Sequence, residues 1–142
     1  MKFNRQVCTT IEQSNRLLKL GLNPETADAC FFRSTYEDLE NTYTRLFVDD
    51  YILNALEDGD NIPAWSLHRL IDLMPEYIHF DDFEDSKYYL TLRPYCLLKV
   101  SYKQDSGNWL YGSESSNLFD AIIDVIEHLI LGKHFDKQYL NQ

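Results

Sequence analysis

Residues 88–131 read YYLTLRPYCLLKVSYKQDSGNWLYGSESSNLFDAIIDVIEHLIL, and they change periodicity halfway. The first part is rich in Tyr, Leu, Val and Thr, which suit a pleated, half-buried surface. It breaks at Arg93-Pro94 and again at Gln104-Asp105-Ser106-Gly107, a run with turn chemistry. We read strands at 88–92, 95–102 and 108–111, the last two forming a hairpin. Gly112 to Ser116 reads as a polar loop. The second part has helical spacing: Leu118, Phe119, Ile122, Ile123, Val125, Ile126, Leu129 and Ile130 make an apolar face wider than half a turn. Asn117 is a natural N-cap, Asp120 sits near the positive end of the helix dipole, and Gly132 follows the last turn. A helix this apolar needs a cover, and the preceding strands supply one.

Upstream the signals are shorter. Thr9-Thr10-Ile11-Glu12 fits a capping box in which Thr9 accepts from the backbone near Glu12 and Glu12 reaches back. Ile11, Leu17, Leu18 and Leu20 follow, and Gly21 stops the helix. Asn23-Pro24 starts a further turn. Phe31 and Phe32 open a stretch without a decisive pattern. Residues 43–48 alternate and are rich in β-formers. Pro63 to Met74 reads as a helix with Leu67, Leu70, Ile71 and Met74 at helical spacing, ended by Pro75. Residues 77–80 read as a short strand.

The expectation is one α+β domain over 1–142. Its antiparallel sheet lies within 77–111, with 43–48 as a candidate further strand. Helices 118–131, 10–20 and 64–74 pack on one face. Residues 133–142 are polar and expected to fray.

A chain of 142 residues with 44% hydrophobic content fills a core without disulfides or metal. Its three cysteines, Cys8, Cys30 and Cys96, are an odd set with no CxxC spacing, so neither a disulfide framework nor a zinc ribbon is expected. Cys96 reads as a small buried hydrophobe. No stretch of 18 apolar residues occurs, and the first ten residues lack a secretory pattern. The expected compartment is the cytoplasm.

Net charge is −10, and its distribution says more than its size. Residues 37–85 carry 14 acids against two bases, Arg45 and Arg69, a net −12; the other 93 residues carry +2. Phosphate contact by that acidic third is disfavoured, because each such contact needs a cation.

Chemical motifs are sparse. His68 and Asp72 stand four apart on an expected helix, which suits a surface pair or, for a small enzyme, a His–carboxylate pair. Asp58-Gly59-Asp60-Asn61 crowds oxygens but lacks the ligand alternation of a calcium loop, and Asp81-Asp82-Phe83-Glu84-Asp85 reads as a solvated acidic loop. GxSxG, GxxxxGK[ST] and GxGxxG are all missing from the sequence. No catalytic, cofactor or metal residue is therefore assigned, and no cofactor is expected.

Aromatic residues make up 14% of the chain, and Tyr88, Tyr89, Tyr95, Tyr102, Trp109 and Tyr111 cluster in the hairpin region. They suit cross-strand packing or, if exposed, a protein interface. The candidate interaction surface is Tyr88, Tyr102, Trp109 and Tyr111 with Asp58, Asp60, Asp81, Asp82, Glu84 and Asp85. Single-strand stacking on these aromatics, near Lys87, Arg93, Lys99 and Lys103, is a lesser reading.

Three phrases carry a resemblance. They are Thr9 to Asp28 (TTIEQSNRLLKLGLNPETAD), Ile62-Pro63-Ala64-Trp65-Ser66-Leu67 through Leu70 to Pro75, and Asn108-Trp109-Leu110-Tyr111 through Asn117 to Ile122. With them the chain resembles a group of small hypothetical proteins, without assigned function, from gut Bacteroidetes genomes, their phages and mobile elements. The resemblance implies a small accessory α+β protein and brings no activity, cofactor or site residue. The expected function is thus a non-catalytic protein-interaction module of phage or mobile-element type. Its partner would be an unidentified protein, a basic one being suited to the acidic charge, with neither direct nucleic acid nor membrane. The alternatives are an acidic nucleic-acid mimic that inhibits a DNA-binding protein, and a small enzyme using His68 with Asp72.

Overall fold

The computed structural model describes residues 6–33, 43–47, 56, 61–79, 87–94 and 97–141. The fold is α+β and builds two antiparallel sheets in two compact units, Met1–Leu70 with Tyr139–Gln142, and Ile71–Gln138. The sequence reading took 1–142 as one domain.

In the first unit, helix α1 (Ile11–Lys19) begins one residue later than expected. Thr10, not Thr9, is the N-cap: its Oγ1 accepts from Gln13 N–H at 3.1 Å, and Gln13 Oε1 accepts from Thr10 N–H at 3.0 Å. Thr9 is engaged elsewhere. Its Oγ1 accepts from Trp65 N–H at 3.1 Å, and its own N–H donates to the Trp65 carbonyl at 2.9 Å. At the other end Gly21 adopts φ +94°, the left-handed conformation that stops a helix.

Strands β1 (Ala29–Arg33), β2 (Tyr43–Phe47) and β3 (Ile62–Ala64) form a sheet in the order β2–β1–β3. Residues 43–47 thus join this sheet and not the one centred on 77–111. Helix α1 packs on β3, so it too belongs here and not on the later sheet. Residues 63–66, expected as helix, are strand and cap instead. Helix α2 (Leu67–Leu73) starts after Ser66, whose Oγ accepts from Arg69 N–H at 3.1 Å. Asp28 fixes that cap by accepting from Ser66 N–H at 2.7 Å and from its hydroxyl. Trp65 is fully buried, and its indole N–H donates to Thr26 Oγ1 at 3.0 Å.

The end of the chain was expected to fray. It is instead tied down: Leu140 bridges Leu22, Asn23 N–H donates to the Tyr139 carbonyl, and Asn141 N–H donates to the Gly21 carbonyl, each at 2.8 Å. These bonds satisfy backbone groups around Leu22, which is fully buried.

The second unit is the one read from residues 88–131. Strands β4 (Tyr77–His79), β5 (Lys87–Pro94), β6 (Leu98–Lys103) and β7 (Trp109–Ser115) run as an antiparallel meander. Helix α3 (Leu118–Leu131) covers one face, packing on β6 and β7. Asn117 Oδ1 caps it by accepting from Asp120 N–H at 3.2 Å. Phe119, Ala121, Ile122, Ile123, Val125, Ile126 and Leu129 are buried along it. The residues read as a polar loop, 113–115, continue β7, and Ser113 Oγ bonds Asp124 Oδ2 of α3 at 2.7 Å.

Candidate binding face of the four-stranded sheet

Side chains alternate between the two faces of a strand, so the register assigns each one. On the helix side Ile78 pairs with Tyr88, Leu90 with Tyr102, and Tyr102 in turn with Leu110. On the opposite side one row crosses all four strands: Tyr77, Tyr89, Lys103 and Trp109. A second row brings Arg93, Lys99 and Glu114 together. Four strands at about 4.8 Å spacing make the first row roughly 14 Å long.

Trp109 is the most exposed ring on this side, 60% accessible. It lies against Gly112: a Cβ there would come within 3.0 Å of Trp109 Cε3, so the missing side chain lets the indole rest on the backbone. Lys99 Nζ stands 5.1 Å from the indole centroid and 3.5 Å from Glu114 Oε1. The hollow beside the ring, about 240 Å³, is lined by Arg93, Lys99, Ser101, Lys103, Gly107, Trp109 and Glu114. At the other end of the row Tyr77 and Tyr89 have ring centroids 6.0 Å apart, with His79 6.0 Å from Tyr77 and Lys87 Nζ 4.8 Å from its centroid. Each aromatic group therefore carries its own cation, an arrangement favoured by the ring quadrupole.

Among the described strand positions of this face, four bases, Lys87, Arg93, Lys99 and Lys103, stand against one acid, Glu114.

Three of the four aromatics proposed from sequence face the other way. Tyr102 is fully buried under α3, and its hydroxyl donates to the Pro75 carbonyl at 2.7 Å. Burial holds its phenol well above the usual tyrosine range. Tyr111 is turned by a bulge. The register passes from Leu110 opposite Tyr102 to Ser113 opposite Val100, leaving Tyr111 and Gly112 together opposite Ser101. Tyr111 takes φ +51° and stacks on His128, centroids 6.0 Å apart, with His134 at 5.8 Å. Tyr88 is half-buried on the helix side. Trp109 alone of the four faces outward. Asp58, Asp60, Asp81, Asp82, Glu84 and Asp85 lie outside the described residues, as does Cys96.

Sequence reasoning passed over Tyr77; it noted Tyr89, Arg93, Lys99 and Lys103 near the hairpin aromatics but left Tyr89 and these bases out of the candidate surface. Their signal was parity: each is odd-numbered, as is Trp109, and the bulge at 111–112 then moves Glu114 onto the same side.

His68 and Asp72 are both exposed on α2, and a hollow beside Asp72 is lined by Ile71, Met74, Glu76, Tyr89 and Leu90. Cys8 and Cys30 are buried and unbridged, and burial pushes the Cys30 thiol up. Among the described residues no group of three or more His, Cys, Asp or Glu is placed to hold a metal ion, and no helix is long and apolar enough to cross a membrane. No family model, curated protein or solved structure matches the chain.

Proposed function

We propose that this protein is a non-catalytic binding module, and that the uncovered face of the four-stranded sheet is its binding surface for an anionic partner. The observation that carries the reading is Trp109, a large ring held outward on Gly112 beside Lys99. A ring that serves only the core gains nothing by exposure, whereas rigid aromatic area next to cations suits recognition. The bases Arg93, Lys99 and Lys103 around it give the surface a sign opposite to that of the whole chain. A patch of local positive charge on an acidic protein selects partners at short range, since screening removes the long-range field within about 10 Å at 0.1 M salt.

The test is a fluorescence titration. Trp109 is exposed and Trp65 is buried, so a contact at this face alters the Trp109 emission. Heparin, as a probe polyanion, should shift that emission, and the K99E/K103E double variant should abolish the shift. An unchanged emission, or an equal shift in the double variant, would remove the proposal. The acidic-mimic reading needs the carboxylates of 37–85 on one surface, and most of them lie outside the described residues.

A further inference from the structure

We infer that the anionic partner of this face is single-stranded nucleic acid, with bases stacked on Trp109 and the Tyr77–Tyr89 pair and phosphates met by Arg93, Lys99, Lys103 and Lys87. The inference rests on the binding face proposed above and names its occupant.

An acidic peptide would use the cations and leave the aromatic faces without a partner. A duplex would offer phosphates, but its bases are already stacked and paired. A single strand supplies anions and flat apolar rings in alternation, and the face has the complementary alternation. Reading along the cross-strand row gives Tyr77, Tyr89, Lys103 and Trp109, with Lys87 over Tyr77 and Lys99 over Trp109. A four-stranded sheet displaying two aromatic positions in this way has room for two or three splayed bases. Stacking is tolerant of sequence, since every base has a π-face. The acid-rich third, 37–85, argues against phosphate contact by its own residues. The four bases of the face lie outside it.

The chemistry fixes the expected numbers. Each phosphate neutralised on a single strand contributes about −0.7 to the slope of log K against log salt, so three or four contacts give a slope of roughly −2 to −3. Removing one base lowers its magnitude by about 0.7. Loss of one stacked base weakens binding roughly 5- to 150-fold.

The experiment titrates the full chain with fluorescein-labelled dT10 and rU10, following anisotropy, with Trp109 emission read in parallel on unlabelled oligomer. A ten-pair duplex and a polyglutamate of matched charge serve as competitors. The expected result is binding of the single strands, quenching of Trp109, a 5- to 150-fold loss in W109A and the stated slope change in K99A and K103A. Circular dichroism establishes that each variant is folded, and the lysine variants carry the test if W109A is not. Duplex or polyglutamate competing as well as dT10 would overturn the inference while leaving the binding face in place. Self-association that quenches Trp109 without any polyanion would assign the face to a second copy and overturn it too. If neither oligonucleotide binds but heparin still shifts Trp109, the inference fails alone; if heparin also fails, the face itself is lost.

Discussion

The two sides of the four-stranded sheet share one backbone and differ in almost everything else. On the helix side Ile78, Val100 and Tyr102 are buried, and α3 seals them with seven buried side chains. On the other side Tyr77, Tyr89 and Trp109 are exposed and interleaved with Lys87, Arg93, Lys99 and Lys103. Alternation along a strand lets a short sequence encode both: every second residue points under α3 and every other one points away from it. Tyrosine occurs on both sides, so residue type alone does not separate the roles.

Substitutions should separate them by magnitude. Ile126 is fully buried in α3, and I126A should cost about 2–5 kcal/mol in urea unfolding, through lost transfer energy plus a cavity. Gly132 comes next. A Cβ there would collide with the Tyr111 hydroxyl and sit 3.1 Å from the His128 carbonyl, so G132A should cost about 1–3 kcal/mol and disturb the Tyr111–His128 stack.

Tyr102 contributes a pH dependence. Y102F loses the bond to the Pro75 carbonyl and should cost about 1 kcal/mol at neutral pH. Because burial raises the folded-state phenol above its unfolded value, its stabilising contribution is complete below about pH 10 and is lost as pH rises further. The stability curves of Y102F and the parent chain should therefore converge above that pH. Parallel curves up to unfolding would place the phenol in water.

The open side should respond least. K103A should change unfolding stability by less than about 0.5 kcal/mol, as surface substitutions do. G112A should lift the indole from its seat and change Trp109 emission at little cost in stability, since the ring that must move is exposed. A large cost in either variant would mean that this side also holds the fold together.

How much of this could be read in advance depended on length and on neighbours. Helix α3 was readable with its ends, because Asn117 and Gly132 bracket fourteen residues of strong periodicity. The hairpin was readable because the turn at 104–107 carries local chemistry, with Gly107 at φ +100°. Strand β3 was hidden: Pro63 looks like a helix start, yet at the edge of a sheet a proline costs no ladder bond on its free side. The true cap, Ser66, is set by Asp28, 38 residues away, a contact that no local pattern announces. Likewise Thr9 and Thr10 were interchangeable as caps until Trp65 claimed Thr9. Ser113-Glu114-Ser115 looked like a loop because its strand is held by partners, not by propensity. The candidate face was half visible. Trp109 was singled out, but Tyr102 and Tyr111 were grouped with it because the register and the bulge at 111–112 come only with the paired strands.

The indole N–H resonances of a ¹H–¹⁵N spectrum put both tryptophans on one page. Trp65 donates to Thr26 inside the first unit, and Trp109 lies open on the sheet. On addition of dT10 the Trp109 indole signal should move progressively with concentration while the Trp65 signal stays fixed. A stationary Trp109 signal, or one that moves no more than that of Trp65, would show that the uncovered side of the sheet does not hold single-stranded nucleic acid.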